Sequence, residues 1–383
     1  MIELADATQP PQQSHWQQPG GFCWWYAEAG DDAGNGIVLI WAFGLPFLPG
    51  HANAVRRGVG TLPTERPSLN VVVHRAGQLA FYVLREVREA TWDGEGRWRF
   101  DDTHIESVQE NGKLALRVTL DVPVVGEAEP LTGSLVLAGR VAQTAGHALG
   151  FGASPHQWTP QVGPSFASAA VQCGGFRWRL AGRGYHDRNA SPLPLHALQI
   201  QTWLWARAAL PDRDRIVYAL WPKDGSPVQV HGLDVLEDGR VAIAEALDLT
   251  TAGATTTRYG MPTWRQLTVR RAGMPWLDLR LDRRVDDGPF YLRFLPGATT
   301  PDGPVVAASA EIIVPDRIDL ARHRPFVRMR VSGPGPRASA WLPLFEGAAQ
   351  TRARRLWRRW LPAVLRGDES MRAELDPRPP RER

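Results

Sequence analysis

The chain has 383 residues, a length that suits two domains and a large core without disulfide or metal support. Its formal charge of +4 is small for this length, so composition does not indicate nucleic-acid binding. Cys23 and Cys173 are far apart and lack CxxC spacing, which disfavours a zinc or redox site. The N-terminal segment lacks the basic and apolar regions of a signal peptide, and no run reaches the ~18 apolar residues of a membrane span. We therefore expect a cytoplasmic protein without nucleic-acid partners.

Short segments rich in β-branched and aromatic residues recur along the chain and are separated by Gly, Pro, Asp and Asn. The predicted strands are Phe22–Ala29, Gly36–Gly44, Leu69–Arg75, Leu79–Val87, Lys113–Val122, Leu131–Ala138, Gly175–Ala181, Leu198–Ala208, Ile216–Trp221, Arg240–Ala246, Arg265–Arg271, Trp276–Leu281, Phe290–Phe294 and Val305–Val314. Asn-Gly and Asp-Gly in the intervening segments QENGK and EDGR are strong hairpin signals. Many short strands joined by such turns predict an all-β protein of antiparallel barrels or sandwiches.

The strand pattern is interrupted once, in the Pro-containing polar segment at residues 153–167. An aromatic strand follows a Gly-Gly pair in both halves, as GGFCWWYAEA at Gly20 and GGFRWRLAGRG at Gly174. This similarity predicts two related barrels, over residues 1–165 and 166–345.

The C-terminal segment has a different pattern. Gln350–Arg366 places Leu, Val and Trp residues at helical spacing, and Arg residues fill most of the remaining positions. A basic amphipathic helix of this kind can bind the surface of an anionic membrane. The alternative is a helix that packs across the barrels with its Arg residues in solvent. The charged, Pro-rich sequence after Gly367 predicts disorder. We therefore expect residues 346–383 to comprise the basic amphipathic helix followed by a disordered tail.

Four motifs occur in order along the chain: FCWWYAEA followed by GIVLIWAFGLPFLP, HQWTP at residues 156–160, GRGYHDRNASPLPL at residues 182–195, and TWLWARA at residues 202–208. Together they resemble the carotenoid 1,2-hydratase (hydroxyneurosporene synthase) family and its lipocalin-like relatives, which include fungal Diels–Alderases. The resemblance implies two lipocalin-like antiparallel β-barrels. It also implies an apolar polyene or isoprenoid substrate, to whose terminal double bond water is added without a cofactor.

Hydration of an unactivated alkene requires a proton donor that an apolar pocket keeps protonated. Asp187, in the Gly-Tyr-x-Asp-x-Asn signature, is the first candidate, and the adjacent His186 could relay protons. Asp187 and Asn189 could equally be turn residues that bond the backbone, and His186 could be a polar loop residue. Glu28 is the second candidate acid, unless it faces solvent near a strand end.

Aromatic side chains could line the pocket and stabilise a carbocation. Alternation along a strand puts Trp24, Tyr26 and Glu28 on one face and Trp25 on the other, and it puts Trp203 and Trp205 together. The candidate substrate-binding residues are Trp24, Trp25, Tyr26, Tyr185, Asn189, Trp203 and Trp205, and Tyr218 is a further candidate for catalysis. Ordinary core packing is the alternative for each Trp. His156 and Trp158 are assigned a structural role between the domains.

No His, Cys and carboxylate cluster has metal-ligand spacing, and no nucleotide-binding fingerprint is present, so no cofactor is expected. Two alternatives to hydration remain. The chain could be a lipocalin-like carrier of an apolar ligand, or it could cyclise or isomerise a polyene or terpenoid by shape and hydrogen bonding.

Overall fold

The computed structural model describes residues 2–44, 46–47, 51–125, 127–146, 156–301, 303–320 and 346–349. These residues are almost all strands and turns, with one short α-helix, α1 (His51–Arg56), and four single-turn 3₁₀ segments. The all-β prediction is confirmed. The predicted C-terminal helix, Gln350–Arg366, lies outside the described residues.

The strands of the first half and its extension are β1 (Glu3–Leu4), β2 (Phe22–Gly30), β3 (Gly36–Phe43), β4 (Pro67–Arg75), β5 (Gln78–Glu86), β6 (Ala90–Trp92), β7 (Arg97–Phe100), β8 (Thr103–Glu110), β9 (Lys113–Val122), β10 (Leu131–Arg140), β11 (Gln157–Cys173) and β12 (Phe176–Ser191). The later strands are β13 (Ile200–Leu210), β14 (Arg213–Pro222), β15 (Gln229–Leu236), β16 (Val241–Ala244), β17 (Leu247–Ala252), β18 (Thr255–Thr256), β19 (Pro262–Thr263), β20 (Gln266–Arg271), β21 (Met274–Arg280), β22 (Arg284–Asp287), β23 (Tyr291–Phe294), β24 (Gly297–Thr299), β25 (Val306–Ile313) and β26 (Gly347–Ala348).

Thirteen strands form the first sheet, in the order β26-β5-β4-β3-β2-β12-β11-β10-β9-β8-β7-β6, with β1 beside β11. It curls into a nearly closed barrel. Tight turns set its register: Asn111 and Gly112, between β8 and β9, both have positive φ, the conformation of the type I′ turn that Asn-Gly favours.

Eleven strands form the second sheet, a half-barrel with the order β16-β15-β14-β13-β25-β24-β21-β20-β17, in which β23 joins β22 to β25. The two lipocalin-like β structures that we expected are therefore present. The chain passes from the first sheet to the second between β12 and β13, at residues 192–199.

The segment expected to interrupt the strands is largely a strand itself, because β11 runs unbroken from Gln157 to Cys173. Its register against β12 shifts between Pro160 and Val162 and again between Val162 and Ser165. Proline is tolerated in a strand at such bulges, since a bulge leaves a ladder position unpaired. The domain limits remain a prediction.

The described residues form three hydrophobic clusters: one inside the first barrel, one inside the half-barrel, and one between the two sheets. Strand alternation assigns side chains to them. On β2, Trp25 and Ala27 point into the first barrel, whereas Trp24 and Tyr26 point toward the second sheet. The side of the first barrel that carries Trp24 therefore faces the half-barrel, and the candidate site lies between them.

Within the described residues, no helix is long and apolar enough to span a bilayer.

Candidate functional site

A cavity of about 110 Å³ lies between the two sheets, and we call it the interface cavity. Most of its wall is apolar or aromatic, with a few buried polar groups. The lining includes Trp24, Tyr26, Val38, Ile40, Asn70, Val72, His74, Asp187 and Asn189 from the first sheet, and Trp203, Trp205, Tyr218, Tyr291, Arg293, Glu311 and Ile313 from the second. A mainly apolar cleft with a few convergent polar groups is the usual form of a small-molecule site.

Cross-strand pairing builds the first-sheet wall. Asp187 on β12 is directly opposite Tyr26 on β2, and Tyr26 is opposite Ile40 on β3. The signature loop of the sequence is thus not a loop, because Asp187 and Asn189 lie within β12. Alternation along β12 turns Tyr185, Asp187 and Asn189 to the same side, the side that faces the half-barrel.

A matching row crosses the second sheet. Tyr218 on β14 is opposite Trp205 on β13, Trp205 is opposite Glu311 on β25, and Glu311 is opposite Arg293 on β23. Directly opposed side chains on neighbouring strands lie within contact distance. Four residues spread over 107 positions of sequence therefore form one continuous strip of the cavity wall.

Asp187 is only 3% exposed and accepts three hydrogen bonds. Trp158 Nε1–H and Tyr185 Oη–H both donate to Oδ2, each at 2.9 Å, and Asn189 Nδ2–H donates to Oδ1 at 3.2 Å. Burial raises the pKa of Asp187 to about 7, although the bonds from Trp158 and Tyr185 act to lower it. A large share of this carboxyl therefore holds a proton at neutral pH. Since Oδ2 already accepts two hydrogen bonds, the proton belongs on Oδ1.

His156 fixes the orientation of Asn189. Its Nε2 lies 3.0 Å from Asn189 Oδ1. Burial lowers the pKa of His156 to about 4, so the ring is neutral, and the tautomer with hydrogen on Nε2 donates to that oxygen. The amide N–H of Asn189 is then directed at Asp187.

Sequence reasoning assigned His156 and Trp158 a structural role between the domains, and it missed their contact with the signature residues. The pairing of β11 with β12 sets Trp158 opposite Asn189. The sequence did mark HQWTP as one of the four motifs, which could have indicated that His156 and Trp158 belong to the site. The local sequence does not show, however, which strand this motif pairs with.

Glu28, the second candidate acid, lies in a buried ion-pair cluster. It accepts hydrogen bonds from Tyr26 Oη–H at 2.5 Å, Arg207 Nη1 at 3.0 Å, Arg293 Nη2 at 2.6 Å and Ser309 Oγ at 2.7 Å. Burial opposes ionisation, but the Arg293 and Arg207 guanidiniums prevail and lower the pKa of Glu28. An ionised carboxylate cannot donate a proton, so this geometry favours Asp187 over Glu28 as an acid.

Four of the residues expected at the site are absent from the wall of the interface cavity: Trp25, Glu28, Tyr185 and His186. Two of these four belong to the core of the first barrel. His186 and Trp25 occupy the alternate positions of β12 and β2, so they point into the first barrel. His186 stacks on Trp41 with ring centroids 5.4 Å apart, and its Nδ1 lies 2.8 Å from the Tyr26 carbonyl oxygen. Burial lowers the pKa of His186 to about 4, which leaves a neutral ring packed in the core.

Aromatic rings from both sheets meet at the interface cavity. Trp24 stacks against Trp203 with ring centroids 6.5 Å apart, and the Tyr218 ring centroid lies 5.6 Å from that of Trp203. Tyr26 packs edge-on against Trp205 with ring centroids 5.8 Å apart. Tyr185 is buried behind this layer, between Asp187 and Trp205. Such π faces attract a cation, and in a desolvated site the attraction is worth about 2 kcal/mol.

This architecture is shared with solved structures of lipocalin-like proteins. An AttH-type protein from Nitrosomonas europaea superposes with a TM-score of 0.54 at 14% identity, over 76% of this chain and 92% of its own. CghA, solved with Sch210972, superposes with a TM-score of 0.51 at 14% identity, over 81% of this chain and 97% of its own. The chain therefore has the two-part lipocalin-like fold, with a buried acid between its sheets.

Sequence comparison identifies the family. Residues 53–342 match the carotenoid hydratase CrtC family, so the chain belongs to that family. Acyclic carotenoid 1,2-hydratase from Thiocapsa roseopersicina is 28% identical over 212 residues, which are 54% of this chain and 49% of that protein. Hydroxyneurosporene dehydrogenase from Chlorobaculum tepidum is 24% identical over 299 residues, 72% of this chain and 77% of that protein. The match thus spans about half the length of the first relative and three quarters of the second.

Proposed function

We propose that this protein hydrates the terminal isoprenoid double bond of an acyclic carotenoid or a related polyene, without a cofactor. Membership of the carotenoid hydratase family supports the reaction class and the substrate class. The observation that carries the proposal is Asp187, a carboxyl that holds a proton near neutral pH at the wall of an aromatic cavity. A proton donor of this kind is what the chemistry requires.

The first step forms a carbocation. The Asp187 Oδ1 proton moves to the less substituted carbon of the double bond, so the π bond breaks, a C–H bond forms, and Asp187 becomes a carboxylate. The tertiary cation lies among Trp24, Trp203 and Trp205, whose ring faces stabilise it.

A water molecule then forms the C–O bond and loses one proton, which gives a tertiary alcohol. The net change is the addition of one water to the alkene. Both carboxyl and substrate are shielded from bulk water, which would otherwise ionise the acid and capture the cation unselectively.

The cavity volume indicates how a long substrate is held. About 110 Å³ admits one end of a polyene rather than the whole molecule. We propose that the terminal isoprenoid unit enters beside Asp187 and that the remainder of the chain extends toward the surface. A substrate dissolved in a bilayer would be met there by an enzyme docked through its basic segment Gln350–Arg366, as the sequence pattern predicts.

Substitution of the acid tests the proposal. Asp187→Asn keeps the size of the side chain and removes its ionisable proton, so we expect normal polyene binding and a loss of turnover of about 10²-fold or more. The matched control is Asp234→Asn, which removes a buried carboxylate from an ion pair with Arg215 outside the cavity. Alcohol production from lycopene or neurosporene, measured by chromatography, should persist in the control. Wild-type turnover in Asp187→Asn would contradict the assignment, and tight binding without conversion by the wild type would favour a carrier.

A further inference from the structure

We propose that Glu311 is a second catalytic residue, which binds the attacking water and accepts its proton. This inference rests on the proposed hydration and assigns the step that Asp187 does not perform. Glu311 lies on β25, in the second sheet, whereas Asp187 lies on β12 in the first. The two carboxyls thus line the interface cavity from different walls.

The surroundings of Glu311 suit a carboxylate that works as a base. Arg293 Nη1 donates to Glu311 Oε1, and Tyr291 also bonds its side chain. Burial raises the pKa of Glu311, and the Arg293 guanidinium acts in the opposite direction. A carboxylate offers about four lone-pair sites, so these donors leave capacity for a water molecule. The other charges that act on Glu311 are those of Glu28 and Asp286.

Asp187 and Glu311 are also coupled electrostatically. The Glu311 charge helps to hold the pKa of Asp187 above its usual range, behind the larger effect of burial. Two carboxyls that disfavour each other's ionisation divide into one acid and one base, which is the pairing that general acid–base catalysis uses.

A second cavity indicates where the water comes from. This polar cavity, of about 670 Å³, lies behind the interface cavity and is bordered by charged residues such as Arg183, Arg207 and Arg283. The two cavities share Val38, His74 and Arg293 in their walls. Arg293 therefore lines the polar cavity and also forms an ion pair with Glu311, which lines the interface cavity. Water can enter at the Glu311 end while the polyene occupies the aromatic end.

The step balances as follows. The water oxygen bonds to the tertiary carbon formed by Asp187, and one O–H bond of that water breaks as its proton passes to the Glu311 carboxylate. The product is the neutral alcohol, with Asp187 ionised and Glu311 protonated. Exchange of protons with water returns Asp187 to its acid form and Glu311 to its carboxylate, so no oxidant, reductant or cofactor is consumed.

Deuterium separates the two steps. In D₂O, Asp187 delivers deuterium to the alkene, and the cation either adds water or loses a neighbouring proton to return as labelled alkene. We expect Glu311→Gln to reduce alcohol formation by about 10²-fold and to raise the ratio of labelled alkene to alcohol. Glu311→Asp, which keeps the carboxylate, should recover part of the alcohol. Asp234→Asn should keep the wild-type ratio. Mass spectrometry of recovered alkene and alcohol gives the ratio.

Each other outcome decides the matter. If Glu311→Gln hydrates at the wild-type rate, or if it loses labelling and hydration in parallel while Glu311→Asp shows no rescue, Glu311 is not the base. If Asp187→Asn alone abolishes labelling, the proposed acid stands whatever Glu311 does. If the wild type yields neither labelled alkene nor alcohol, hydration itself is wrong, and the role of Glu311 is rejected with it.

Discussion

Trp158 donates its indole N–H to Asp187 at 2.9 Å, and this bond joins two motifs that are 29 residues apart in sequence. The bond reaches the oxygen that Tyr185 also contacts. Both donors favour the ionised carboxylate, so they set a limit on how far burial can raise the pKa of Asp187. The strength of the proposed acid is therefore adjusted by a residue from the neighbouring strand.

Removal of the hydrogen bond from Trp158 should raise the pKa of Asp187. In Trp158→Phe the carboxylate loses one charge-assisted donor, worth about 1.5–3 kcal/mol, so the pKa of Asp187 rises by about one unit. We expect the alkaline limit of hydration to move upward by that amount, measured as a pH profile of initial rate. Trp98→Phe is the control, because Trp98 packs in the first barrel without touching Asp187. An unshifted profile in Trp158→Phe would show that the bond does not tune the acid.

Hydration by the wild type should fall above about pH 7. In the proposed mechanism the acid form of Asp187 is the active form, and it is lost as the pH rises through a pKa of about 7. The groups that act on this carboxyl are Trp158, Tyr185, Glu311 and Glu28. Above the limit, the rate should decrease about tenfold per pH unit. A rate that stays constant to pH 9 would rule out Asp187 as the donor.

The same shift makes a prediction about stability. The usual pKa of an aspartate is 3.8, and in the folded protein that of Asp187 is about 7. Between these values the folded state binds more protons than the unfolded state, so stability falls as the pH rises through this window and levels off above it. Asp187→Asn lacks this penalty. Relative to the wild type, the variant should therefore gain a few kcal/mol between pH 4 and pH 8, measured by urea unfolding. Asp234→Asn is the control for loss of a buried carboxyl, and a gain of the same size in both variants would contradict the explanation.

The basic segment predicted from sequence gives a separate test. Deletion of residues 350–383 removes Gln350–Arg366 and leaves β26 in place. We expect the truncated protein to bind anionic vesicles less well than the full chain in a flotation assay, and the difference to shrink at high salt as charges are screened. Replacement of Arg358 and Arg359 by Gln should weaken binding in the same direction. Equal flotation of all three proteins would indicate that the segment packs against the barrels instead.

Much of the site could be predicted where it depends on alternation within one strand. The sequence placed Trp24, Tyr26 and Glu28 on one face and Trp25 on the other, and the structure agrees, because the period of two is a local property of the backbone. Asp187 was indicated by the resemblance of GYHDRN to the family signature, which was expected to be a loop and not a strand. The all-β fold followed from short strands and Asn-Gly or Asp-Gly turns.

The missed residues reach the site through pairing between distant strands. Arg293 and Glu311 lie in no motif, and the motif that contains Trp158 does not state which strand it pairs with. The places of all three residues depend on the register of β11 with β12 and of β23 with β25. Register across a sheet is fixed by the whole hydrophobic pattern and by bulges, such as those beside Pro160. His186 was misplaced for a different reason, because the signature was expected to be a loop. It lies in β12, where alternation directs His186 into the barrel core and its neighbour Asp187 toward the cavity.

The placement of the interface cavity between the two sheets has a consequence for how activity is lost. Asp187 belongs to one β structure and Glu311 to the other, while the ion pairs of Glu28 with Arg207 and Arg293 hold the sheets together. In the proposed mechanism, neither half carries a complete site. Loss of the Glu28 ion pairs would allow the two β structures to move apart. Turnover would then stop, although each β structure would retain its strands and its core. Activity would then depend on how closely the two β structures pack against each other. Circular dichroism would not detect the loss of activity, because the strand content would be unchanged.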